Sequence, residues 1–192
     1  MTGVVVEVGP ATVRGPNHAV AEWVSAGIDG IDDDLTLIDD RAVGTADVWR
    51  KIMLDVVGDP AEPMVIVCPT WWPSSRVERV YDAARTVAVD VVVLRRAELI
   101  SDRRIIEIAP EFVVVASPTG IVDVVPRADT DALRAKIPKS KPILVDAPEG
   151  VEGAGPLAVA IADRLRANGV DVTIADRDWV HRTDDACGSP DE

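Results

Sequence analysis

Short β-branched runs recur along the chain: "VVVEV", "LTLI", "MVIVC", "VVVL", "FVVV", "IVDVV", "PILV" and "DVTI". Most are apolar at every position rather than at alternate ones, the pattern of strands covered on both faces. Elsewhere the apolar spacing changes to that of a helix. Thr45 stands at an N-cap position ahead of Val48, Trp49, Ile52, Met53 and Val56, which fall on one side. A second helix is predicted from "SSRVE", where Ser75 and Glu78 have capping-box spacing. Its stripe is Val77, Val80, Tyr81, Ala84, Val87 and Ala88. A third follows Pro156 and runs through "LAVAIADRLRA" to the stop signal Asn168-Gly169.

Helix and strand do not alternate regularly. The first strands come with little helix between them, and "FVVVASPTGIVDVV" reads as two strands across a turn. The expected class is α/β, a mixed sheet with flanking helices. One domain is expected over residues 1–180, with a polar tail or linker over 181–192. No repeat occurs at the period of a solenoid.

At 192 residues the chain is long enough for one domain or two small lobes with a sizeable core. Its 47% hydrophobic and 28% charged residues are those of an ordinary soluble globular protein. The net charge of -13 repels nucleic acid and anionic lipid, so neither is an expected partner. No apolar run approaches the roughly 20 residues that span a bilayer, and the first residues lack a basic leader, so membrane insertion is not expected. Cys68 sits in an apolar strand and Cys187 in the polar tail. They make no disulfide framework, a usage that suits a reducing cytoplasm.

Three turns follow apolar strands, where α/β folds commonly hold ligands: "EVGPAT" (7–12), "SPTG" (117–120) and "DAPEGVEGAG" (146–155). The last carries G-x-x-G-x-G between a strand and a helix, which differs from the dinucleotide fingerprint. It reads either as a phosphate loop or as a flexible connection. No G-x-x-x-x-G-K-[ST] is present, and "PKSKP" lacks a P-loop's glycines.

The stretch "VIVCPTWWPSSRVERVYDAARTVAVDVVVLRRAEL" runs from a strand through an aromatic turn and a helix into a second strand. With "FVVVASPTGIVDVV", "ILVDAPEGVEGAGPLAVAIADRLRANGVDVTIAD" and "VVVEVGPATV", it resembles the actin-like ATPase superfamily, most of all the seventy-kilodalton heat-shock chaperones. The resemblance spans most of residues 3 to 178. It implies a ribonuclease H-like fold, compact or partial because this superfamily usually has two complete lobes of similar fold. It also implies an ATP/Mg site built from two phosphate loops and an adenosine segment.

The departures from that pattern are informative. Where active members read Asp-x-Gly-Thr, this chain has Glu7-Val8-Gly9-Pro10, and proline removes a backbone donor. Where they read Asp-x-Gly-Gly, Ala116 stands for the acid and Pro118 and Thr119 for the glycines, leaving Gly120. Asp146-Ala147-Pro148 replaces the small glycines that admit the base. The expectation is therefore a degenerate site with no catalytic residues, metal or cofactor. In the alternative, a nucleotide-binding switch or weak ATPase, Gly9, Thr119, Gly120, Gly150 and Gly153 converge around the phosphates of ATP/Mg. The valine- and alanine-rich texture is also similar to the amino-terminal domain of actinobacterial type VII secretion-associated proteins. That resemblance implies an isolated amino-terminal domain or a short member, with type VII secretion components as partners.

Six acids between Asp29 and Asp40 fail the spacing of a calcium loop and read as a solvated turn. Trp71-Trp72 is unusual in a chain with five Trp, one Tyr and one Phe. Either one ring stays at the surface as a protein-binding anchor, or both cover the helix from Ser75. His18 and His181 have no companions at local spacing and are expected at the surface. No G-x-S-x-G marks a serine nucleophile. The pairs Arg95-Arg96 and Arg103-Arg104 flank a short helix and complement the acidic surface. The leading expectation is a cytoplasmic, non-catalytic actin-like domain that binds a protein partner through Trp71 and Trp72, accessory to type VII secretion. A plain α/β scaffold domain of a larger chain is the third reading.

Overall fold

The computed structural model describes residues 3–58, 63–137 and 141–182. Of the tail expected over 181–192, His181 and Arg182 instead close a short helix, Trp179–Arg182, and the remainder with Cys187 lies outside the described residues. The chain is a mixed α/β protein with mixed sheets and flanking helices. Where the sequence suggests one domain over 1–180, the residues gather into two compact units, Met1–Leu94 and Arg95–Glu192.

The first unit contains strands β1 (Val4–Val8) and β2 (Val13–Arg14), helix α1 (Ala21–Asp29), strands β3 (Leu35–Ile38) and β4 (Arg41–Gly44), and helix α2 (Thr45–Val57). Strand β5 (Met64–Cys68), helix α3 (Ser74–Arg85) and strand β6 (Val91–Arg95) follow. Its main sheet has the order β2-β1-β5-β6, with β1 and β5 parallel; β3 and β4 form a separate antiparallel hairpin. Strand β1, apolar but for Glu7, and the continuously apolar β5 are buried along nearly their whole length. They join Trp49, Ile52 and Met53 of α2 and Val80 and Ala84 of α3 in one core.

The second unit opens with a short 3-10 helix, Arg96–Leu99. An antiparallel meander follows: β7 (Arg104–Ile108), β8 (Phe112–Ser117) and β9 (Gly120–Pro126). After a 3-10 turn and the short α4 (Leu133–Lys136) come β10 (Ile143–Asp146), α5 (Ala154–Ala167), β11 (Val172–Ile174) and α6 (Trp179–Arg182). The sheet order is β11-β10-β7-β8-β9, and β10 runs parallel to both of its neighbours. Ile106, Ile108, Val113, Ile143 and Val145 pack with Ala158, Ile161 and Leu165 of α5.

The two sheets follow one plan. The order β6-β5-β1-β2 matches β11-β10-β7-β8, and the match extends to register. Glu7 lies opposite Arg14 and Val8 opposite Val13, as Glu107 lies opposite Val114 and Ile108 opposite Val113. Val4 pairs with Met64 as Arg104 pairs with Ile143. The bracing bonds recur as well. Val4 N–H donates to Pro63 O (2.8 Å) and Arg104 N–H to Pro142 O (3.1 Å). Met64 N–H donates to Asp90 O (2.8 Å) and Ile143 N–H to Asp171 O (2.9 Å). "EVGP" at 7–10 and "EIAP" at 107–110 are therefore the same structural segment.

Two helix starts differ from the sequence expectation. Thr45 is the first residue of α2 rather than its cap; Gly44 takes the cap position, and Thr45 Oγ1 is buried without a hydrogen bond among the described residues. Helix α3 begins at Ser74 behind Pro73, so the Ser75–Glu78 capping box does not form. In both places an extended residue, Gly44 at the end of β4 and Pro73 after the aromatic turn, enters the helix and no side-chain cap is made.

Candidate functional site

The residues singled out from the sequence fall in both units. Gly9 follows β1 in the first, and Thr119, Gly120, Gly150 and Gly153 are in the second. Gly9 closes the β1–β2 turn by donating its N–H to Thr12 O at 2.7 Å. Pro10 has no N–H to offer. The two consecutive donors that a phosphate would meet here are thus consumed or missing. Glu7, the acid of this segment, is buried, and its carboxylate accepts from Arg14 Nη1 at 3.3 Å.

Within the second unit the candidate residues do not share one site. Strand β8 runs back along β7, so the Ser117–Gly120 turn lies beside the start of β7, where Ile105 faces Ala116. The start of β7 lies in turn beside the start of β10, since Arg104 is opposite Ile143. Gly150 and Gly153 instead follow the end of β10 at Asp146. The two groups stand a strand length apart, roughly 13 Å along the sheet. Gly120, at φ +128°, serves a hairpin turn, where the backbone conformation asks for glycine.

By topology the counterpart of the 9–12 turn is 109–112, a segment the resemblance does not pick out. It is closed in the same way: Ala109 N–H donates to Phe112 O at 2.9 Å, and Pro110 follows. The signal available in the sequence is the repetition of Glu-x-x-Pro 100 positions apart, at Glu7 and Glu107. Arg127, which no pattern marks, ties this turn to the glycine-containing loop. It donates from Nη1 to Pro110 O (2.9 Å) and from Nη2 to Glu152 O (2.7 Å). Helix α5 begins just beyond, at Gly153 in the left-handed region (φ +68°) and without a side-chain cap.

A buried polar group sits at the end of β10. Asp146 forms an ion pair with Arg96, only 1% exposed, and accepts from Trp179 Nε1 at 3.2 Å. Glu107 is buried in register with Asp146 on the neighbouring strand. Arg96 is thus a core residue and not the surface charge expected of the Arg95-Arg96 pair. The short 3-10 helix carries it inward, where buried carboxylates compensate a guanidinium. Among the described residues no group of three or more His, Cys, Asp or Glu is placed to hold a metal ion.

The aromatic pair divides. Trp72 is 2% exposed and belongs to the first unit's core, whereas Trp71 is half-buried and meets it edge-on at 6.4 Å between ring centroids. Arg76 lies over the Trp72 ring at 5.9 Å. A ring so covered cannot be a contact anchor; only Trp71 retains a surface. The acidic stretch is no freely solvated turn either: Arg76 pairs with Asp32, and Arg79 donates to Asp33 O and faces Asp34. No helix among the described residues is long and apolar enough to cross a membrane.

No family model and no curated protein matches the chain. Among solved structures, the ethanolamine utilization protein EutJ from Carboxydothermus hydrogenoformans is similar at a TM-score of 0.44 and 11% sequence identity. The match covers 93% of this chain and 86% of that one. Likeness at this level carries nothing over to the function of this chain.

Proposed function

We propose that the chain is a non-catalytic actin-like protein that works by binding a protein partner in the cytoplasm, as an accessory to type VII secretion. One observation carries the non-catalytic part. Both turns at the first-loop position, 9–12 and 109–112, spend their leading N–H on their own hairpin and place proline next. A phosphate cradle needs several backbone donors aimed at one point, and in both turns the leading N–H is already taken and the next position has none to give. The shared plan of the two units supports the actin-like reading, because that resemblance implies two lobes of similar fold.

Calorimetric titration with ATP and ADP, with and without Mg²⁺, tests this reading. The expected result is no heat and no thermal stabilisation at millimolar nucleotide. Micromolar, Mg²⁺-dependent binding, on the order of -8 kcal/mol, overturns it in favour of a nucleotide switch. That second reading has its own support in the uncapped start of α5, where Gly150 and Gly153 adopt positive φ and Gly153 lies beside Arg127.

A further inference from the structure

Among the described residues, the β3–β4 hairpin leaves one strand edge and one apolar face without partners. Its two-residue turn is Asp39-Asp40, both with positive φ (50° and 59°), the geometry of a type I′ hairpin. In such a hairpin the flanking pair, Ile38 and Arg41, exchanges hydrogen bonds, and the bonded pairs then alternate. Thr36 bonds to Val43, while the N–H and C=O groups of Leu35 and Leu37 point away from β4. Strand β3 has no other strand neighbour among the described residues.

The side chains add to this. Leu35 and Leu37 are 61% and 65% exposed, because their cross-strand partners Gly44 and Ala42 are too small to cover them. Alongside runs a groove of about 570 Å³ between α1 and β3, walled by Glu22, Ser25, Asp29 and Asp33. Among the described residues no Lys or Arg lines it. Glu22 and Asp33 have no ion pair among the described residues, although Asp32 and Asp34 on either side of Asp33 do.

We infer that the β3 edge is a docking site for an extended, basic peptide segment that adds a strand to the hairpin. The inference rests on the partner-binding reading and gives it a location away from Trp71. Main-chain groups of the incoming segment pair with Leu35 and Leu37. Side chains on one face cover the two leucines. Those on the other face turn toward α1, and Lys or Arg there meets Glu22, Asp29 and Asp33. A second copy of the chain is a poorer occupant, since it brings the same acidic wall and a net charge of -13.

The test uses the full chain and a blocked seven-residue peptide alternating Lys and Val, with a Glu/Val peptide as control. Amide hydrogen exchange is followed by NMR with and without peptide. The site predicts slowed exchange at Leu35 and Leu37, weaker binding at higher salt, and no binding of the Glu/Val peptide. The exposed double variant Leu35→Lys/Leu37→Lys, and separately Glu22→Gln/Asp33→Asn, should each weaken binding by roughly tenfold. No binding of the Lys/Val peptide overturns the site. Binding that protects other amides, or that ignores both variants, also overturns it while leaving the partner-binding reading standing. A concentration-dependent dimer that protects Leu35 and Leu37 without peptide, and that the lysine variant abolishes, makes a second copy the occupant. Mg²⁺-dependent nucleotide binding in the calorimeter is the separate result that removes the partner-binding reading itself.

Discussion

Trp49 shows how much one buried side chain does in the first unit. Its ring is fully enclosed, and Nε1 donates to Gly27 O at 2.9 Å, tying α2 to the last turn of α1. Trp49→Phe keeps most of the ring but strands the carbonyl and opens a small void. The expected loss is about 1–3 kcal/mol of unfolding free energy, read from urea denaturation. At the surface, the hydrogen bond from Arg76 holds the Asp32 carboxyl below the ordinary aspartate range. A depressed folded-state value means the stabilisation is complete above the unfolded value of about 3.9 and fades as pH falls through the folded one. Carboxyl-carbon NMR titration should show Asp32 ionising below the ordinary aspartate value, and Arg76→Met should raise it toward that value. Neither contact is legible in the sequence, because each joins residues more than 20 positions apart.

Elements were legible in proportion to how purely apolar they are. All eight β-branched runs are strands, those buried on both faces (β1, β5, β8, β10) and those with an exposed face (β3, β9) alike. Strand β7, "RIIEI", hides behind a charged pair and contains Glu107, whose charge is buried and so reads as a break in the pattern. Helix α1 has Val20 at its cap and Gly27 inside, so neither a start signal nor a clean stripe announces it. The short 3-10 helix matters more than its four residues suggest, because Arg96 pins it to the end of β10 through Asp146. Arg96→Met leaves that carboxylate buried without its cation. The expected cost is about 3–5 kcal/mol, and Arg96→Met/Asp146→Asn should recover part of it. Denaturant midpoints of the two variants, with the Trp179 indole N–H resonance as local reporter, check both statements.

At the scale of the molecule, two units were not legible because nothing separates them. Strand β6 ends at Arg95 and the next helix begins at Arg96, with no Gly, Pro or polar run between. Each unit nevertheless has a core of its own. Fragments 1–95 and 96–192 should each give dispersed amide spectra and a cooperative thermal transition. An unfolded fragment would show that its core depends on the rest of the chain. The grouping of the candidate nucleotide residues also belongs to this scale. Local motifs single out the Ser117–Gly120 turn, whereas strand order makes 109–112 the counterpart of the 9–12 turn.

The matched registers mean that each half is a natural variant of the other. Glu7 and Glu107, Pro10 and Pro110, Pro63 and Pro142, and Asp90 and Asp171 are the same residue types at matched positions, so they mark what the shared plan demands. Cys68 against Ala147, Gly9 against Ala109 and Val67 against Asp146 differ at matched positions, so they mark what each half can change and still fold. Swapping residues between the two columns of that internal alignment is a mutational scan whose tolerated answers are already written in the chain.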